Sequence, residues 1–249
     1  KFNAQDLSHI TFGVGNLLLG PNDLCPGFFG AWSRQCVAKF STFQAQHLGN
    51  VAHVLSQLNL LEESNELCSD LIPRWSEACL GWLCKFQPQE LATAMYSLAL
   101  VKVEREELHP EFFKKWCEAS TGWLSDWQPQ QLARVAYGLA QLELRPEHLG
   151  SDTFVHSLAL ACLAKVEEMD PTHVFMALYA FALLDSTGVH ADCMELMSKL
   201  AARAVPRVAS LEQATALSMA CFWFGIMEGQ TSVLESFSAE AKADNNTSR

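Results

Sequence analysis

The chain has 249 residues, 49% of them apolar and only 18% charged, and its net charge is −11. That composition supplies ample core and has the wrong sign for a protein that grips phosphate through a broad basic surface. No apolar run reaches the roughly 18–20 residues that span a bilayer, so no transmembrane segment is expected.

Taken in order, the chain repeats itself. Phe2-Asn3-Ala4-Gln5-Asp6-Leu7 returns as Phe43-Gln44-Ala45-Gln46-His47-Leu48, as Phe86-Gln87-Pro88-Gln89-Glu90-Leu91 and as Trp127-Gln128-Pro129-Gln130-Gln131-Leu132. Weaker copies begin near Met169 and Ser210. With the leucine as anchor the series is Leu7, Leu48, Leu91, Leu132, Val174, Ala214, nearly evenly spaced along the chain. A fixed period of this kind, about 40 residues, marks stacked-repeat architecture. The expected fold is all-α, an α-solenoid of about six helix–turn–helix repeats, each of about 40–43 residues. Units start near 2, 43, 86, 127, 169 and 209 in one domain over 1–237, and 238–249 reads as a flexible tail.

Each unit predicts two helices. Helix A opens after the aromatic-x-x-Gln signal. Pro88, Pro129 and Pro171 fall at the first helical position, which tolerates proline because that N–H has no partner, and Gln87, Gln128 and Asp170 fall near the N-cap. Counted from the anchor, apolar or small residues recur at +3, +4, +7 and +10, a helical stripe that begins with Ile10, Thr11, Val14 and Leu17 and keeps its register from unit to unit. Position +6 is small in most units (Gly13, Ser97, Gly138, Ala180, Ala220), as close helix approach requires. Gly13-Val14-Gly15 therefore reads as packing and not as a phosphate loop. An acidic connector follows (Glu62-Glu63; Glu104, Glu106, Glu107; Glu143, Glu147). Helix B carries Phe28/Trp32, Leu71/Trp75 and Phe112/Trp116, each pair on one face, with Trp82-Leu83 and Trp123-Leu124 farther along. These tryptophans repeat with the core and are expected to pack between helices. Nine cysteines, odd in number and without a CxxC pair, are expected to be buried thiols of a reducing compartment.

The motif Phe-x-Pro/Ala-Gln-x-Leu with Tyr-x-Leu-Ala following, repeated at this period as paired helices, resembles the octotricopeptide repeat and related organellar helical repeats. The resemblance is clear from Phe2 to about Leu149 and weaker beyond. It implies a binding protein of a mitochondrion or, second, a plastid, acting on single-stranded RNA in organellar gene expression or residing in an organellar ribosome in contact with rRNA. Lys1 in place of Met fits a chain whose targeting peptide has been removed.

The side of helix A opposite the core offers positions +2, +5 and +9. Position +2 is His9, Asn50, Thr93, Arg134 and Met176; position +9 is Asn16, Gln57, Leu100, Gln141 and Leu183. Position +5 is Phe12, His53, Tyr96, Tyr137 and Tyr179, so all three tyrosines share one slot. The candidate RNA- or partner-binding set is His9, Asn16, Asn50, His53, Gln57, Thr93, Tyr96, Arg134, Tyr137, Gln141 and Tyr179. Such a ribbon suits hydrogen bonding and stacking to bases; equally, the +5 rings can pack between adjacent helices with their hydroxyls at the rim. Arg134 is the only cation among these positions, and with the net charge of −11 this keeps a second reading open, a scaffold or accessory subunit among the proteins of a larger organellar assembly. No HExxH, serine-centred elbow or glycine-rich phosphate loop occurs, so no enzyme, no cofactor and no metal site is expected.

Overall fold

A computed structural model describes residues 2–17, 19, 23–58, 67–184 and 191–204. The sixth unit, the Glu62-Glu63 connector and the tail lie outside the described residues, as do the side chains of Thr11 and Gln57. Among the described residues the fold is all-α, 74% helix with no strand. Eleven helices are α1 (Ala4–Asn16), α2 (Phe28–Val37), α3 (Ala45–Leu58), α4 (Leu71–Cys79), α5 (Pro88–Leu100), α6 (Phe112–Thr121), α7 (Pro129–Gln141), α8 (Pro146–Leu149), α9 (Phe154–Lys165), α10 (Pro171–Leu184) and α11 (Ala191–Ala204).

Helices α1, α3, α5, α7 and α10 each pack on the next, as do α2, α4, α6, α9 and α11. Three of the first helices, α1, α5 and α7, start by one device. The residue at the third helical position turns back to accept the backbone N–H of the N-cap residue: Asp6 from Asn3 and Glu90 from Gln87 by carboxylate, Gln131 from Gln128 by amide. Pro88 and Pro129 sit at the first helical position, as the sequence predicts. Lys102 and Glu143, equivalent positions in successive units, close α5 and α7 at φ 51°. There the N–H groups of Val103 and Leu144 donate to the carbonyls of Leu98 and Leu139, a left-handed cap on non-glycine residues.

The core follows the stripe. Val51, Ala94, Met95, Leu98, Val135, Ala136, Leu139, Ala177, Leu178 and Phe181 are fully buried, as are the lead aromatics Phe43, Phe86 and Trp127. Unit one departs from it. Leu17 is the C-cap of α1 and 70% exposed, whereas Val101 and Leu142, the C-cap residues at the same stripe position of α5 and α7, are buried. The small residue at +6 serves close approach at Gly138, where a Cβ would stand 2.9 Å from the Met95 carbonyl oxygen. It does not at Gly13, where a Cβ would meet nothing within 4 Å; in α1 the close contact belongs to Gly15, against Val54.

Trp75 and Trp116 are buried, and each indole Nε1 donates to the anchor carbonyl of its own unit, Leu48 and Leu91, at 3.0 Å. The tryptophans are thus interior latches between the two helices of a unit. Trp82 and Trp123 lie beyond the ends of α4 and α6, not within them; Leu83 and Leu124 bury while the indoles stay partly exposed. A second tie joins successive units. Buried Ser33 accepts the N–H of Cys68, and buried Ser76 accepts that of His109, both at 2.9 Å. In the following unit Cys117 stands where Ser33 and Ser76 stood, hydrogen-bonded with Ser151. None of the seven cysteines with described side chains forms a disulfide; four are buried as expected, while Cys25 and Cys84 are exposed and Cys68 is half-buried. Burial pushes the Cys36 thiol up to about 12, Cys117 to about 11 and Cys79 well above the ordinary range, so these three are inert at neutral pH.

Candidate binding face

The faces of α1, α3, α5, α7 and α10 that do not meet the core lie in succession, and their side chains form two different arrangements. On α5, α7 and α10 the slot five residues past the anchor is a column of tyrosines. Tyr96 and Tyr137 have ring centroids 6.0 Å apart at 59°, and Tyr137 and Tyr179 6.0 Å apart at 38°. Arg134 lies over the Tyr96 ring, 5.1 Å from its centroid. Sandwiching a base between two rings takes about 7 Å, twice the stacking rise, with the planes parallel. The tyrosine pairs are tilted and closer than that, so they leave no such slot; the rings pack on one another and present edges and hydroxyls.

Between α3 and α5 the arrangement opens instead. A cleft of about 290 Å³ is lined by Gln46, Gly49, Asn50 and His53 of α3 and by Gln87, Gln89, Glu90 and Thr93 at the start of α5, with Phe12 of α1 at one side. Glycine makes part of the room: a Cβ on Gly49 would stand 3.1 Å from Cγ of Glu90. The Glu90 carboxylate is held by its capping bond, Oε2 accepting the Gln87 N–H at 2.8 Å. Asn50 Nδ2 donates to Ser8 Oγ at 2.7 Å, which fixes that amide against α1. The Phe12 and His53 rings make an aromatic wall, 5.9 Å apart at 36°.

Two histidines feel one arginine. Burial, then the positive charge of Arg134, lowers the His53 pKa below the ordinary 6.5. His173 is lowered too: burial and Arg134 outweigh the Asp170 carboxylate, whose Oδ2 lies 2.8 Å from its Nδ1. Both are neutral imidazoles at pH 7. His47 is likewise lowered, by burial first and by His9 second.

Of the predicted set, Asn50, His53 and Thr93 meet in the cleft, and Tyr96, Arg134, Tyr137 and Tyr179 meet in the column. His9, Asn16 and Gln141 are exposed and lie outside both. Sequence reasoning put Phe12 in the outward slot without counting it as a candidate, and it missed Glu90, Gly49 and Gln46. Each was absorbed into motif or packing, and the one signal available was that the capping position holds a carboxylate in unit three and an amide in unit four. Among the described residues no three potential metal-binding side chains cluster, and no helix is long and apolar enough to cross a membrane. Compared with known proteins, the chain matches no family model, and no curated protein matches it.

Proposed function

We propose that the chain is a non-catalytic α-solenoid of about six helix–turn–helix units, of the octotricopeptide-like organellar kind, that holds single-stranded RNA along its first-helix face. The RNA is a transcript or the rRNA of an organellar ribosome. One observation carries this reading. Five successive helices present hydrogen-bonding and aromatic side chains on one face, and their only acidic residues are Asp6 and Glu90. Asp170 caps the start of α10 and is bonded to His173, and the protein's other described carboxylates belong to the second helices and the connectors. Stacking and edge hydrogen bonds bind single strands with little phosphate neutralisation, at modest affinity. With Arg134 as the one cation of these helices, log affinity should fall with log salt at a slope of about −1 or shallower. Fluorescence anisotropy with single-stranded RNA across a salt series tests this; no binding at micromolar protein and low salt sinks it.

The net charge of −11 favours a second reading, an accessory subunit of a larger organellar assembly that meets basic partner surfaces. Native purification from the source organelle decides it, and a monomeric, partner-free protein sinks this alternative.

A further inference from the structure

Resting on the RNA reading, we infer that the α3–α5 cleft is a pocket for a single guanine base, with the Glu90 carboxylate accepting the base's adjacent N–H groups. The cleft's volume, about 290 Å³, lies at the small end of ligand sites and suits one planar ring system, not a run of nucleotides. Its one charged side chain is a carboxylate, which accepts and never donates. That excludes phosphate from the cleft and selects a ligand edge made of donors. Among the four RNA bases only guanine places two N–H donor groups side by side, at N1 and at the exocyclic N2, and a carboxylate takes such a pair bidentately. The acceptor is already oriented, because its bond from the Gln87 N–H fixes Oε2 before any ligand arrives. The amides of Gln46 and Gln89 supply N–H donors of the kind that guanine's carbonyl oxygen and N7 require. Phe12, 48% exposed, and His53 offer a ring face for stacking.

The feature belongs to this unit alone among the described interfaces of its kind. In the next unit Gln131 takes the place of Glu90 and the Arg134 guanidinium lies on Tyr96, where Thr93 and His53 leave space here. The chain would then select one base at one interface, with the neighbouring tyrosine column contributing tolerant contacts.

The same replacement provides the test. Glu90→Gln keeps the capping geometry that Gln131 already forms in α7, so the variant keeps its helix content and its Tm. Anisotropy is measured with short oligouridines carrying one central guanosine, inosine (which lacks the N2 amine), adenosine or uridine. The wild type should prefer guanosine over uridine by about tenfold, with inosine between them. Glu90→Gln should remove that preference, and because it also takes an anion off the binding face, the all-uridine strand should bind at least as tightly as it does to the wild type. Equal binding of the guanosine and uridine strands by the wild type overturns the pocket and leaves RNA binding standing. A guanosine preference that survives Glu90→Gln overturns the assignment to this cleft. Binding of none of the strands overturns both the pocket and the function it rests on.

Discussion

The interfaces α3–α5 and α5–α7 are built from one motif and end differently. Beneath the surface they match: Leu48 and Leu91 each receive a tryptophan Nε1, and stripe residues such as Val51, Met95 and Val135 are fully buried. Above, side-chain volume decides the outcome. Histidine and threonine at α3–α5 leave a cleft; tyrosine and arginine at α5–α7 stack and close it. In such a repeat the core stripe fixes how helices meet, and two or three outward positions decide whether the seam is a groove or a solid surface.

The comparison breaks hardest at the shared foundation. Trp75→Ala and Trp116→Ala should each cost about 3–5 kcal/mol in denaturant unfolding, because a buried indole and its bond to the anchor carbonyl go together. Unequal losses would mean that the two units do not rest on equivalent latches. A smaller and asymmetric effect is expected at the glycines. In Gly138→Ala the new methyl meets the Met95 carbonyl oxygen at 2.9 Å, which cannot move without its helix; the cost should be about 1–2 kcal/mol after the gain in helix propensity. In Gly49→Ala it meets the Glu90 side chain at 3.1 Å, which has to give by only a few tenths of an ångström and can do so with its capping bond kept, so stability should change by less than about 1 kcal/mol while the cleft narrows.

The mildest pair exchanges the seams' upper residues. Thr93→Arg should fill the α3–α5 cleft and abolish base selection; Arg134→Thr should open α5–α7 at a cost of about 1 kcal/mol or less. Arg134→Thr also removes a charge that depresses the pKa of both His53 and His173, so both imidazoles should titrate at higher pH by NMR. A folded state that disfavours protonated His53 binds fewer protons than the unfolded chain. Its stability is therefore full above pH 6.5 and falls as pH drops from 6.5 through the lowered folded value. Arg134→Thr should flatten that fall.

Much of the fold was legible because it depends on spacing along one helix. Pro88, Gln87 and the stripe through Met95 follow from local rules, and each holds in the structure. What failed to show depends on pairs from different helices. That Arg134 lies over Tyr96 needs the offset between α5 and α7, which no single helix pattern contains. The α3–α5 cleft was hidden for the same reason: it arises where Thr93 and Glu90 of one unit face His53 and Gly49 of the unit before it. At Gly13 the pattern misled, because smallness alone does not say which face receives a neighbour. The serine ties were invisible since their partners are backbone N–H groups, which carry no sequence signature.

Those ties bear on how the molecule comes apart. Between α2 and α4, and between α4 and α6, a hydroxyl oxygen accepts the N–H that leads into the next helix; at α6 the weaker sulfur of Cys117 takes that place and meets the Ser151 side chain instead. The chain is therefore fastened less firmly beyond α6 than before it. Amide exchange should penetrate first through Ser151 and the start of α9, and the units carrying Asn50, His53 and Thr93 should be the last to loosen.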